Sequence, residues 1–227
     1  MASGKSLVTT HASGKEVYKV KLGNKNGTEV TLTNYGNIVS SFIVKGINIV
    51  LGFDDIEKYF SKEYLSAYPY FGAVIGRTGN RIQNGRFEID GKEYQLAQNN
   101  GPHNLHGGPN GFDQQVWEID EEISEAAKSV CFRYTSKDGE EGFPGNLSVR
   151  QVYTLTDGDE LVIESFATTD APTLINLTHH DYFNLNGKGS IEQHFVRIYA
   201  DNYLGQDAGY GADGRVIPVL NTVCDFR

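Results

Sequence analysis

Two histidines stand side by side in Asn176-Leu-Thr-His-His-Asp-Tyr-Phe-Asn-Leu185. Two more, His103 and His106, lie in the loop Asn99-Asn-Gly-Pro-His-Asn-Leu-His-Gly-Gly108. Imidazole gives or takes a proton near neutrality, so acid–base chemistry in this chain would be built from these groups. In extended backbone, successive side chains point to opposite faces, so His179 and His180 cannot share one task. A further stretch, Phe71-Gly-Ala-Val-Ile-Gly-Arg-Thr-Gly-Asn-Arg-Ile82, delivers Asn80 and Arg81 after a glycine-punctuated run. Both types hold hydroxyl groups by directed hydrogen bonds. The spacing of the four histidines fits no familiar metal site, and no cysteine joins them. Gly209-Tyr-Gly-Ala-Asp-Gly214 matches the pattern G-x-G-x-x-G, but Arg215-Val-Ile-Pro218 follows where a phosphate-binding helix would have to begin. A plain turn is expected there. The residues alone describe a polar, histidine-bearing pocket; surface loops without chemistry fit the same spacing.

The elements that carry these residues read as strands. Val17–Leu22 and Thr28–Thr33 alternate around Gly23-Asn-Lys-Asn-Gly27, which predicts a hairpin. Arg86–Ile89 and Lys92–Leu96 flank Asp90-Gly91, a turn pair suited to positive φ. Leu147–Leu155 and Glu160–Thr168 form a third pair around Thr156-Asp-Gly-Asp159, and His194–Ala200 reads as a last strand. Helical pattern is confined to Asp54–Phe60 and Ser124–Lys128, each too short to stand alone. With 39% hydrophobic residues, the 227-residue chain is large enough for one mostly antiparallel β-sandwich domain. A formal net charge of −9 argues against nucleic acid or an anionic membrane as partner. No apolar run is long enough to span a bilayer, and Met1–His11 has no signal-peptide core, so a cytoplasmic protein is expected. Cys131 and Cys224 lie far apart, as ordinary reduced thiols do.

Taken together, Leu51-Gly-Phe53, Ile75–Ile82, Asn99–Pro102, Leu105–Gly108, Asn176–Leu185 and Asp225-Phe-Arg227 resemble the aldose 1-epimerase (galactose mutarotase) family in order and separation. The resemblance implies an all-β antiparallel supersandwich over residues 1–227, with a concave face that holds a hexose such as glucose or galactose. It implies interconversion of α and β anomers without metal or cofactor. That chemistry needs a base for the anomeric proton and an acid for the ring oxygen as C1–O5 breaks. On the family pattern His180 is the acid, His106 shares the polarising role, and Arg81 and Asn80 hold sugar hydroxyls. Tyr182, two residues beyond His180, would line the pocket, while His179 is structural.

One departure matters. The family's base glutamate, in a Glu-Thr-Gln-like segment, and a sugar-binding aspartate both lie C-terminal to Asp-Phe-Arg, where this chain stops. Asp181 is a poor substitute, because alternation points it away from His180. Val223-Cys224 also stands where the family has Pro-Phe. The expectations are therefore a domain cut short at its C-terminus and inactive or nearly so by itself, with uncovered edges that favour self-association. Two other functions fit the same residues. One is a carbohydrate-binding sandwich without catalysis. The other is a hexose-phosphate epimerase, which would need basic residues at the pocket rim that the acidic chain lacks.

Overall fold

The computed structural model describes residues 4–120 and 128–227. Among these, the first sheet has five antiparallel strands in sequential order: β1 (Gly4–Thr10), β2 (Glu16–Gly23), β3 (Glu29–Thr33), β4 (Val39–Val44) and β5 (Ile47–Asn48). One α-helix among the described residues, α1 (Lys62–Ala67), follows, and then short ladders built from β6 (Val74–Ile75), β7 (Arg81–Ile82), β8 (Arg86–Ile89), β9 (Lys92–Gln95) and β10 (Asn104–Leu105). A second sheet runs in the order β11 (Glu118–Ile119), β12 (Ser129–Ser136), β13 (Leu147–Leu155), β14 (Leu161–Thr169). The chain then forms β15 (Thr178–His179), which pairs with β6, and a hairpin of β16 (Asn202–Gln206) and β17 (Ala212–Pro218).

The two larger sheets share one core. Period-2 alternation sends Val20, Leu22, Val30 and Leu32 from the first sheet against Val130, Phe132, Leu147, Val149 and Tyr153 from the second. Each such side chain contributes about 1.5–3 kcal/mol by leaving water. A second cluster, with Tyr35, Ile38, Ile56, Tyr59 and Tyr64, sits under α1. Of the two arginines in the glycine-rich stretch, Arg77 is a structural clamp. It is 2% exposed and donates to Ser136 Oγ and to the carbonyls of Pro144, Lys137 and Gly145 at 2.8–2.9 Å.

The hairpins fall where the turn residues put them; Asp90 and Gly91 have φ of 52° and 76°. Two expectations need correction. His194–Ala200 is not a strand, although it alternates. A strand exists only where a neighbour takes up its backbone groups. Apart from local turns, the described residues give this segment one such bond, from Ile198 N to Phe226 O at 2.7 Å. The helical pattern at Asp54–Phe60 becomes a 3-10 turn over Ile56–Phe60, and the α-helix follows at Lys62–Ala67, capped by Ser61. Of the Ser124–Lys128 pattern, all but Lys128 lies outside the described residues.

Candidate active site

The strand carrying the paired histidines is held by two layers of backbone. β15 pairs with β6 through Thr178↔Ile75 and His179↔Val74. His180 N then donates to Ala73 O at 2.9 Å, and His180 O accepts from Gly72 N at 3.0 Å. Gly72 has φ of +61°, and a Cβ there would overlap the Val39 carbonyl, so only glycine lets this chain lie against β4.

Alternation separates the pair. His179 turns to the interior, with Nδ1 2.8 Å from Asp181 Oδ2 and Nε2 3.0 Å from the Tyr153 hydroxyl and 3.2 Å from Asn37 O. His180 turns the other way, into a group of rings. Its centroid lies 5.3 Å from His106 in an edge-on contact, 5.6 Å from Tyr70 and 5.1 Å from Tyr182. Tyr182 packs in turn on Phe71 at 5.2 Å.

His106 follows β10 with φ of 57°. Its backbone N–H donates to Asn80 O at 3.0 Å, and its Nδ1 accepts from Asn80 N at 2.9 Å. An accepting Nδ1 places the proton on Nε2, so the ring presents a donor on its free side. Burial holds its pKa down at about 4, with His180 and Arg81 adding to the effect. His106 is thus neutral at physiological pH. Because folding lowers this pKa from 6.5, its stabilising contribution is full above that value and fades as pH falls toward about 4.

Arg81, on β7, is oriented by its neighbours. Nε donates to Asn100 Oδ1 at 2.8 Å and Nη1 to Asn80 Oδ1 at 3.3 Å, while Tyr210 lies under the guanidinium at 5.6 Å. Asn80 therefore first serves to hold Arg81. β7 pairs with β10, and this ladder brings Arg81 beside His106 despite a separation of 25 positions (106−81). His103 stays apart: it is buried and its Nδ1 accepts from Asn84 N at 3.1 Å. Gly209–Gly214 is a turn into β17, with Asp207 Oδ1 accepting from Gly209 N and Gly211 N.

Tyr70, Asn100 and Tyr210 belong to this constellation and were not singled out from the sequence, Asn100 and Tyr210 lying inside quoted stretches and Tyr70 outside them. Tyr70 packs against both histidines, 4.8 Å from His106. Its only signal was its place directly before Phe71. The carboxylates near this group are engaged elsewhere: Asp181 with His179, Asp113 behind Tyr68, Asp207 with its own turn and Gln83, and Glu141, against Gly108, with the Asn110 amide. The arrangement can therefore hold a polyhydroxylated ring between aromatic walls and deliver protons to an oxygen of that ring.

An aldose 1-epimerase family model matches residues 18–227. The galactose mutarotase of Sus scrofa is 44% identical over 205 residues, which cover 87% of this chain and 57% of that protein. The aldose 1-epimerase of Escherichia coli (strain K12) is 41% identical over 165 residues, 72% of this chain and 47% of that one. Among solved structures, galactose 1-epimerase from Lactobacillus acidophilus NCFM superposes with a TM-score of 0.87 at 27% identity, over 100% of this chain and 66% of that one. A GalM/aldose epimerase homologue from C. elegans does so with a TM-score of 0.82 at 33% identity, over 99% and 64%. The chain thus spans 57% of the length of the first curated relatives it matches.

Proposed function

The chain belongs to the aldose 1-epimerase family, and on that premise we propose that its pocket binds free hexoses, galactose and glucose, and serves their anomer exchange. The observation that carries this is the edge-on pair of His106 and His180, 5.3 Å apart, with Arg81 beside it. In the proposed reaction His180 gives its proton to the ring oxygen as C1–O5 breaks, while the anomeric hydroxyl gives its own to a base that is not among the described residues. The Nε2–H of neutral His106 polarises the same oxygen. Arg81 and Asn80 hold hydroxyls, and Tyr182 forms a wall. The open aldehyde rotates about C1–C2 and recloses on its other face, and the proton returns.

Removal of the anomeric proton is the step for which the described residues offer no free carboxylate at the pocket. That same observation supports a second function, hexose binding without turnover. Both require binding. Titration of the purified chain with D-galactose, followed by the imidazole signals of histidine-labelled protein, should move His106 and His180 and leave His194 in place; unmoved signals at high galactose refute both.

Among the described residues, no helix is long and apolar enough to cross a membrane. The unpaired Cys131 and Cys224 support a reducing, cytoplasmic setting. Phe195, Tyr199 and Val223 are 102%, 90% and 94% exposed, and β14 is a nine-residue edge strand. Exposed apolar groups and an open edge both favour association. The 227-residue chain should therefore elute as concentration-dependent oligomers in size-exclusion chromatography with light scattering. A monomer across the concentration range would refute this.

A further inference from the structure

Behind the two histidines runs a buried line of side chains to which the proposed proton transfers give no task. Asp113, in the turn Phe112–Gln114, is 1% exposed. Its Oδ2 accepts a hydrogen bond from the Tyr68 hydroxyl, while Oδ1 is buried with no hydrogen bond of good geometry among the described residues, the Asp113 backbone N–H and the Gln114 amide being its polar neighbours. Tyr68 caps the end of α1, and its ring lies 4.4 Å from that of Tyr70. Tyr70 touches both histidines.

Two physical points give this line a meaning. Tyr68 and Tyr70 have φ of 31° and 58°, conformations that are strained for a non-glycine residue and persist only where surrounding contacts hold them. A buried carboxyl with an unpartnered oxygen is destabilising relative to an apolar group of the same volume. Packing alone does not call for it. What Asp113 supplies and an apolar residue would not is a fixed position for the Tyr68 hydroxyl.

We propose that Asp113 is a positioning residue: by holding Tyr68 it places Tyr70, and Tyr70 sets the edge-on contact between His106 and His180. This rests on the proposed function only in taking those histidines as the acting groups. Burial pushes the Asp113 carboxyl up to about 7, against the opposing effects of the Tyr68 bond, the Asp113 backbone N–H and the Gln114 side chain. The ionisable groups that face it are Tyr35, Tyr64, Tyr68, Tyr70 and Glu141, none of them cationic. Ionisation turns a carboxyl into a stronger acceptor for the Tyr68 hydroxyl. The hold on Tyr70 therefore tightens as pH rises through about 7.

The test uses the 227-residue chain with labelled histidines, its His106 and His180 signals assigned by their loss in His106→Asn and His180→Asn. Wild type, Asp113→Asn and Tyr68→Phe are titrated from about pH 5.5 to 8.5. In both variants the two signals should depart from wild type, by an amount that grows through pH about 7. Galactose affinity should fall by about tenfold, the equivalent of one hydrogen bond lost. Asp113→Asn should melt no lower than wild type at pH 8, since it removes a buried charge. A folded Asp113→Asn with wild-type signals and affinity overturns the proposal. If that variant does not fold, Tyr68→Phe, which removes only a hydroxyl, decides in the same way. Signals that respond in a wild type that binds no galactose would leave the positioning role standing and refute the sugar function. Binding with unresponsive signals would do the reverse.

Discussion

Fresh α-D-galactose mixed with the purified 227-residue chain will relax toward its anomeric equilibrium at least about 10²-fold more slowly than with equal galactose mutarotase from Sus scrofa. A positioned base typically contributes about 10²–10⁴-fold, and opening the hemiacetal requires the anomeric hydroxyl to lose its proton. Asp181 is committed to His179 on the reverse face of the strand. Asp207 is held below its ordinary pKa by the backbone N–H groups of Gly211 and Gly209, which makes it a weak base. Asp113 is sealed behind Tyr68. Joining the C-terminal remainder of the Sus scrofa protein after Arg227 should raise the rate by the same factor. Polarimetry measures both. If the 227-residue chain matches its relative unaided, one of its own carboxylates is the base and the assignment above fails.

In that extended chain, His180→Asn will lower the rate by about 10²–10⁴-fold, because asparagine keeps the shape and a hydrogen-bond donor but has no proton to give near neutrality. The backbone bonds from Ala73 and Gly72 do not depend on the side chain, so the melting temperature should stay close to that of the parent. His179→Asn is the control. It removes a ring that bonds Asp181 and Tyr153, which costs about 1–3 kcal/mol of stability. Its rate should remain within a few-fold, since the ring faces away from the pocket. Equal losses of rate from the two substitutions would contradict the assignment of faces.

Strands and turns were legible because their causes are local. Alternation decides which side of β13 is apolar, and Asp90-Gly91 tolerates the positive φ of a tight hairpin. That His179 and His180 face opposite ways follows from the same period of two and needed no tertiary information, whereas which of them would act came only from family resemblance. Naming His180, His106, Arg81 and Asn80 together required family resemblance, since nothing local links residues up to 100 positions apart (180−80).

Tertiary structure alone decided the rest. His194–Ala200 has the pattern of a strand and is none, because pairing is a property of two segments and, local turns aside, the described residues give it a single backbone bond, to Phe226. Tyr70 reaches both histidines through a left-handed turn that a period-2 pattern does not contain. Arg77 and Arg81 look interchangeable in Gly-Arg-Thr-Gly-Asn-Arg, yet one is a buried clamp and the other is held by Asn100 and Asn80 beside His106. The tautomer and depressed pKa of His106 come from a backbone N–H 26 positions away and from burial by neighbouring elements. Local sequence sets the direction in which a side chain leaves its backbone, but what waits there depends on which other segments fold against it.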